Sequence, residues 1–414
     1  MINDQNKHSW CVNADHAMSA NNNGTTKICC MIANEEVMKL GENSIQENFN
    51  KKEFIDIRQS LQNGERHQDC RWCWQEEDSG RKSKRLRDNE KYLGHVNAGG
   101  TEYTGLAKFE LNLGNTCNLK CRTCAPYSSS QWVKEEYDIY EHKRYKQNYK
   151  AYTDIMKKYH QTYDDDSKFW LDLEDNLHTI RQFDFYGGEP FLSKKMWRIL
   201  EICVDRGYAK NIELHYATNA TVWPEDKIQI FAHFRHVNLN FSIDGVGKQF
   251  EYMRHPAVWD EAVVNMNKAK ELQKLHHDIH ISWCITISSI NIYNLEEILE
   301  EHYQNYATFG SYLNLVHGPA HFNISTLPDD VKVKVIEKLN SIPKHHENMW
   351  HHHLPGVINF IKNGQPNDTI WNEFKKKIEI HDGYREQNFA EVYPEYANAI
   401  NWRPTRVYKF LQLQ

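Results

Sequence analysis

The chain has 414 residues, of which 40% are hydrophobic and 26% charged, and it carries a net charge of −6 at neutral pH. That length suits one large catalytic domain with additions, and the composition is that of an ordinary folded chain. The acidic balance argues against nucleic acid as the main partner.

In chain order, Met1 to His8 lacks the apolar core of a signal peptide. No apolar run approaches the roughly 20 residues of a membrane helix. A cytoplasmic chain with no membrane partner is therefore expected, and its ten cysteines read as metal ligands and buried thiols rather than disulfides. Residues 1–100 hold Cys11, Cys29 and Cys30, then Cys70-x2-Cys73, and a basic run from Arg81 to Arg87 expected as a solvated helix face.

From residue 108 onward, β-rich runs alternate with helical stretches. The predicted strands are Phe109–Leu113, Gln182–Phe185, Ile212–Tyr216, Asn238–Ile243, Ile279–Ile287 and Tyr312–Val316. The predicted helices include Lys195–Cys203, Glu225–Phe231 after Pro224, Trp259–Leu275 and Leu295–Tyr303. This alternation means βαβ units and an α/β fold with an open, barrel-like parallel sheet, whose ligands bind at the carboxyl ends of the strands. Residues 128–170 interrupt it with a Tyr/Lys/Glu-rich helical insertion (Tyr137, Tyr140, Tyr145, Tyr149, Tyr152, Tyr159), expected to pack on the barrel flank. Asp164 to Asp166 read as a solvated turn, and Cys203 and Cys284 as buried core thiols. His317, just past the sixth strand, is the candidate substrate contact. Residues 326–414 form a helical extension. Its His345-His346 and His351 to His353 are expected in solvent, because adjacent histidines diverge on a helix.

Cys117, Cys121 and Cys124 stand in the spacing Cys-x3-Cys-x2-Cys directly after the first predicted strand. One short loop can thus place three thiolates on three corners of a four-iron, four-sulfur cube, leaving one iron open for chemistry. Spacing alone leaves a zinc site or unrelated core thiols as alternatives.

That cysteine loop, followed by Tyr186-Gly187-Gly188-Glu189-Pro190 after the second strand, resembles the radical S-adenosylmethionine enzymes. The resemblance implies a partial (β/α)6 TIM-like barrel over residues 101–325. It also implies a 4Fe-4S cluster on Cys117, Cys121 and Cys124, whose open iron binds S-adenosylmethionine. The reduced cluster would cleave that cofactor to a 5′-deoxyadenosyl radical, which abstracts hydrogen from a substrate. Gly187 and Gly188 would let the backbone approach the methionine amino group, with Glu189 beside them. Thr218-Asn219, Ser242, Asp244 and Arg254 resemble the family's further cofactor contacts, Arg254 as a partner of the cofactor carboxylate. The chain departs from many relatives at Thr123, where an aromatic residue precedes the third cysteine.

Cys11-x12-Gly24-x4-Cys29 with Cys70-x2-Cys73 resembles the twitch (half-SPASM) module, which holds an auxiliary 4Fe-4S cluster. Here it precedes the barrel, as residues 1–100, whereas in most relatives it follows. Cys30 competes with Cys29 as a ligand, and by residue type a four-cysteine zinc site remains open. Taken together, the resemblance implies an oxidoreductase or a modifying enzyme acting on a peptide or small sugar-like molecule. A flavodoxin or ferredoxin would be its electron donor. The contrasting function is a catalytically silent scaffold with structural iron–sulfur or zinc sites.

Overall fold

The computed structural model describes residues 4–32, 39–141, 144–145, 148–158, 163–164 and 167–404. Tyr159, Asp165 and Asp166 lie outside the described residues.

Eight strands form one sheet: β1 (Ala17–Ala20), β2 (Thr26–Lys27), β3 (Lys108–Asn112), β4 (Gln182–Tyr186), β5 (Glu213–Thr218), β6 (His236–Ser242), β7 (Ile279–Ile287) and β8 (Gly310–Leu315). Their order is β2-β1-β3-β4-β5-β6-β7-β8, parallel throughout except for the antiparallel β1–β2 pair. Each of the six predicted strands is present, with ends shifted by at most a few residues. Residues Trp259–Leu275 and Leu295–Asn305 are helices. The stretch after Pro224 forms a turn and then a 3-10 helix, Ile228–His233. Pro224 O takes both the Lys227 and the Ile228 N–H, which tightens the first turn.

Alternation along the strands sorts the sheet into two faces. Phe109, Leu111, Phe183, Phe185, Leu214, Tyr216, Leu239 and Phe241 are buried. On that face Tyr216 stacks toward Phe191 and Phe231 of the outer layer. The other face carries Lys108, Glu110, Asp184 and His215. Charge there is matched by the N-terminal segment: Lys84 lies 3.1 Å from Glu110 and 3.0 Å from Asp88. Lys108 meets Asp88 at 2.9 Å and Asp184 at 3.3 Å.

Two expectations are corrected here. Residues 1–100 contribute to the main sheet, since β1 pairs in parallel register with β3, Ala17 opposite Lys108. Strands of four and two residues are too short to leave a periodic signal. The basic run is not a solvated face: Arg81 and Arg85 are buried. Arg81 donates to Leu313 O of β8 at 2.8 Å, and Arg85 pairs with Glu77 at 2.6 Å. The N-terminal segment therefore reaches both ends of the open sheet.

The insertion also packs differently from the expectation. Its helices Trp132–Glu136 and Tyr149–Lys158 flank a π-helical turn, Tyr137–Glu141. The first part lies between the cysteine loop and the C-terminal helix Asp368–Arg385. Glu135 bonds Arg385 and His381, and Tyr384 Oη donates to Asp138 at 2.7 Å. Cys203 and Cys284 are buried. Among the described residues, no helix is long and apolar enough to cross a membrane.

Candidate functional site

The cysteine loop leaves the carboxyl end of β3 and is pinned on several sides. Lys120 N and Arg122 N donate to His255 O and Met253 O at 2.7 and 2.8 Å. Trp132 Nε1 donates to Cys121 O at 2.9 Å, and Ser129 Oγ donates to Leu119 O. The Arg122 guanidinium lies 3.5 Å from the Tyr252 ring centroid and pairs with Asp382 at 2.5 Å. These bonds fix Cys117 and Cys121 in the interior, with Cys124 half-buried.

The thiols feel one another. Cys121 is pulled down to about 7, by the hydrogen bond from Cys124 first and by the Arg254 guanidinium, against burial. The same Cys121–Cys124 bond, with burial, pushes Cys124 well up. Burial raises Cys117 to about 11.

The Gly-Gly-Glu-Pro loop rests directly on this cysteine loop. Gly188 N donates to Ser128 O at 2.9 Å, and Glu189 N to Thr116 O at 2.8 Å. The glycines are required by that contact. A Cβ on Gly188 would lie 2.3 Å from Thr116 O, and one on Gly187 2.0 Å from Asn112 Oδ1. Both also have positive φ, +59° and +84°. The Gly188→Ala protein is therefore expected to lose more than half of its loop-bound iron after anaerobic reconstitution, with a stability loss of about 2 kcal/mol or more. Iron analysis and a denaturant midpoint check this; wild-type iron in the variant would contradict it.

Glu189 is buried, and its two oxygens tie the loop to the end of β5. Oε1 accepts from Thr218 Oγ1 and Oε2 from Asn219 N, both at 2.8 Å. Burial raises its carboxyl to about 7, with the bonds from Asn219, Thr218 and Phe191 opposing. The group's ordinary value is 4.5, so the folded chain holds a proton that the unfolded chain releases. Its contribution is fully present below about pH 4.5 and lost as pH rises through about 7, a swing of about 3 kcal/mol. Denaturant midpoints across that window, without S-adenosylmethionine, should fall in wild type and stay flatter in Glu189→Gln.

Asn219 Nδ2 reaches back to Asn118 Oδ1 inside the cysteine loop at 2.9 Å. Ala220 takes a left-handed φ of 66°. Ser242 ends β6 half-buried. Asp244 Oδ1 accepts from Thr286 N at 3.0 Å, while Oδ2 pairs with Arg254 at 2.6 Å. Arg254 Nη1 points at Cys121 Sγ from 3.8 Å, and its Nε is buried with no hydrogen-bond partner. A buried guanidinium with a free donor beside Cys121 and near Cys124 suits an anionic cluster and a carboxylate ligand. Of the eight expected cofactor residues, Thr218 and Ser242 close β5 and β6, Gly187, Gly188, Glu189, Asn219 and Asp244 follow strand ends, and Arg254 follows the helix Lys248–Met253; Gly188, Glu189, Asn219 and Arg254 contact the cysteine loop directly. Asn118, Arg122 and Trp132 complete its support.

A second group of thiols surrounds a separate cavity. Cys11, Cys29, Cys70 and Cys73 line it together with Ala14, Ile28, Ile32, Ile57 and Leu61, and Arg85 is the one cation. Burial pushes Cys11, Cys70 and Cys73 each up to about 12. Cys29 is also raised: the Cys30 hydrogen bond lowers it, and burial with the Glu110 charge outweighs that. Cys30 N donates to Glu110 Oε2 at 2.8 Å, so Cys30 sits toward the sheet while Cys29 lines the cavity.

His317 has partners from the N-terminal segment. Its Nε2 lies 3.2 Å from Glu76, and its ring stacks on Trp72 at 5.7 Å. The strand end was legible, but the partner comes from the Cys70–Cys73 helix, more than two hundred residues away.

Residues 111–301 match the family model described as Radical SAM superfamily. Among solved structures it is similar to Streptococcus suis SuiB bound to S-adenosylmethionine, at 12% identity over 64% of this chain and 53% of that one, TM-score 0.36. It is also similar to SuiB bound to precursor peptide SuiA, at 12% identity over 75% and 56%, TM-score 0.33. A third is native anSMEcpe with bound AdoMet and Cp18Cys peptide, at 14% identity over 56% and 58%, TM-score 0.35. The chain spans a little over half the length of these proteins. No curated protein sequence matches it.

Proposed function

We propose that this chain is a radical S-adenosylmethionine enzyme with two 4Fe-4S clusters, acting on a peptide or a small hydroxylated molecule. The observation that carries the reading is the bonded unit of cysteine loop, Gly-Gly-Glu-Pro loop and Arg254. Cys117, Cys121 and Cys124 would hold the first cluster. Gly187, Gly188, Glu189, Thr218, Asn219, Ser242, Asp244 and Arg254 would surround the cofactor. When bound, cluster and cofactor supply a 5′-deoxyadenosyl radical that takes hydrogen from the substrate. The protein's part is to bury that chemistry and fix its loops.

Cys11, Cys29, Cys70 and Cys73 would hold the second cluster. Four thiolates would leave no open iron, so this site suits electron transfer from a substrate radical.

A cleft of about 560 Å³ opens beside Asn112 at the end of β3, within the roughly 300–1,000 Å³ of small-molecule sites. Asn21, Asn22, Asn23, Lys27, Tyr127 and Glu136 line it. Amides that both donate and accept match peptide groups or sugar hydroxyls.

The Cys70→Ser/Cys73→Ser protein tests the two-cluster reading. After anaerobic reconstitution it should lose about half of its iron and still form 5′-deoxyadenosine from S-adenosylmethionine under dithionite. Full iron retention would contradict a second cluster on these thiols.

A further inference from the structure

The helix Leu295–Asn305 and the start of the helix Glu347–His352 meet on the outer layer, away from both cysteine sets. Glu300 lies on the first. His345 and His346 precede the second, in a turn where His346 N donates to Pro343 O at 3.3 Å. Because the pair stands before the helix and not within it, the two rings converge. Their centroids are 4.2 Å apart. His345 is exposed as expected, but His346 is only 6% exposed, which corrects the solvated reading of this segment. His351 and His352 are exposed.

Both imidazoles address one oxygen. Glu300 Oε2 lies 3.1 Å from His345 Nε2 and 3.2 Å from His346 Nε2. The other oxygen, Oε1, accepts from Gln304 Nε2 at 2.6 Å, which holds the carboxylate in place. Tyr303 flanks the two rings at 4.7 and 5.6 Å. His346 Nε2 is buried and makes no hydrogen bond despite its closeness to the carboxylate. A ring nitrogen near an anion but misaligned for N–H donation is placed as a lone pair facing a cation would be. The three ligand atoms all lie within 4.8 Å of one another. Ligands about 2.0–2.1 Å from a tetrahedral zinc ion stand about 3.4 Å apart, close to the two N–O separations here.

We propose that Glu300, His345 and His346 form a binding site for a divalent transition metal of the zinc type. Two imidazoles and one carboxylate favour zinc, cobalt or nickel over magnesium or calcium, which prefer all-oxygen shells. Water completes the coordination on the exposed side. The ion clamps the C-terminal extension to the helix that follows β7. It is a third metal site, independent of the iron–sulfur reading, and its ligands touch none of the cluster cysteines.

Calorimetric titration of Zn2+ into the cluster-loaded chain tests this, alongside His345→Ala and Glu300→Gln. Both changes fall at partly exposed positions, so the fold and the iron content should persist. The expected result is one zinc ion bound per chain in wild type, at least tenfold weaker in each variant. A zinc-dependent rise in melting temperature should accompany it in wild type only. No zinc binding in wild type, or equal isotherms in wild type and both variants, would overturn the proposal. Equal isotherms would place the zinc at thiols elsewhere in the chain.

Discussion

Replacing Cys117, Cys121 and Cys124 together with alanine should abolish 5′-deoxyadenosine formation and remove about four irons, leaving about four at the N-terminal site. The three thiols sit on one loop, bonded through Thr116 and Ser128 to Gly188 and Glu189. Because burial already keeps Cys117 high at about 11, loading must displace protons, and cluster assembly should slow as pH falls. Product analysis and iron and sulfide assays check both halves of the expectation. Loss of all iron would mean that the N-terminal thiols hold no cluster alone. Retained cleavage would mean that the loop is not the cofactor site.

The second large effect is expected at Glu135, far from any motif. Its side chain is fully buried, and its oxygens serve Arg385 Nε at 2.9 and 3.1 Å, His381 Nδ1 at 2.8 Å and Lys120 at 2.9 Å. Burial opposes its charge, yet His381, Arg385 and Lys120 together lower its carboxyl to about 2 from an ordinary 4.5. Glu135→Ala would strand the Arg385 guanidinium, whose Nη1 and Nη2 already have no hydrogen-bond partner. Breaking a buried pair from one side costs about 3–5 kcal/mol. Lys120 belongs to the cysteine loop, so iron retention should fall as well. A depressed acid stabilises above its unfolded value and loses that contribution as pH falls through its folded one. The Glu135 contribution is therefore complete above about pH 4.5 and lost toward pH 2. Denaturation of wild type and Glu135→Ala at neutral and acid pH should show the gap closing with acid. A variant as stable as wild type at neutral pH would contradict this account of the insertion.

What the sequence made legible was local. The cysteine spacing, the Gly-Gly-Glu-Pro loop and six strands all depend on residues within a few positions of one another. Glu189 and Arg254 were visible as motif members, but their partners were not: Arg254 meets Asp244 and Cys121 instead of standing free. Gly188 also meets the cysteine loop itself at Thr116, a contact no pattern announces. Long-range charge pairing hid the rest. Lys84 with Glu110, Arg122 with Asp382 and Glu135 with Arg385 join segments far apart in the chain. A basic run reads as a solvated face until its buried carboxylates are known, and Arg81 to Arg87 is such a run. His317 illustrates the same limit: its strand was foreseen, and its Glu76 partner was not.

Anaerobic purification of the whole chain, with iron and sulfide counts and a 5′-deoxyadenosine assay under dithionite and S-adenosylmethionine, tests the central claim most directly. About eight irons and eight sulfides per chain are expected, with 5′-deoxyadenosine formed. Zinc in both cysteine sets and no iron after iron–sulfur reconstitution, with no cleavage product, would contradict it.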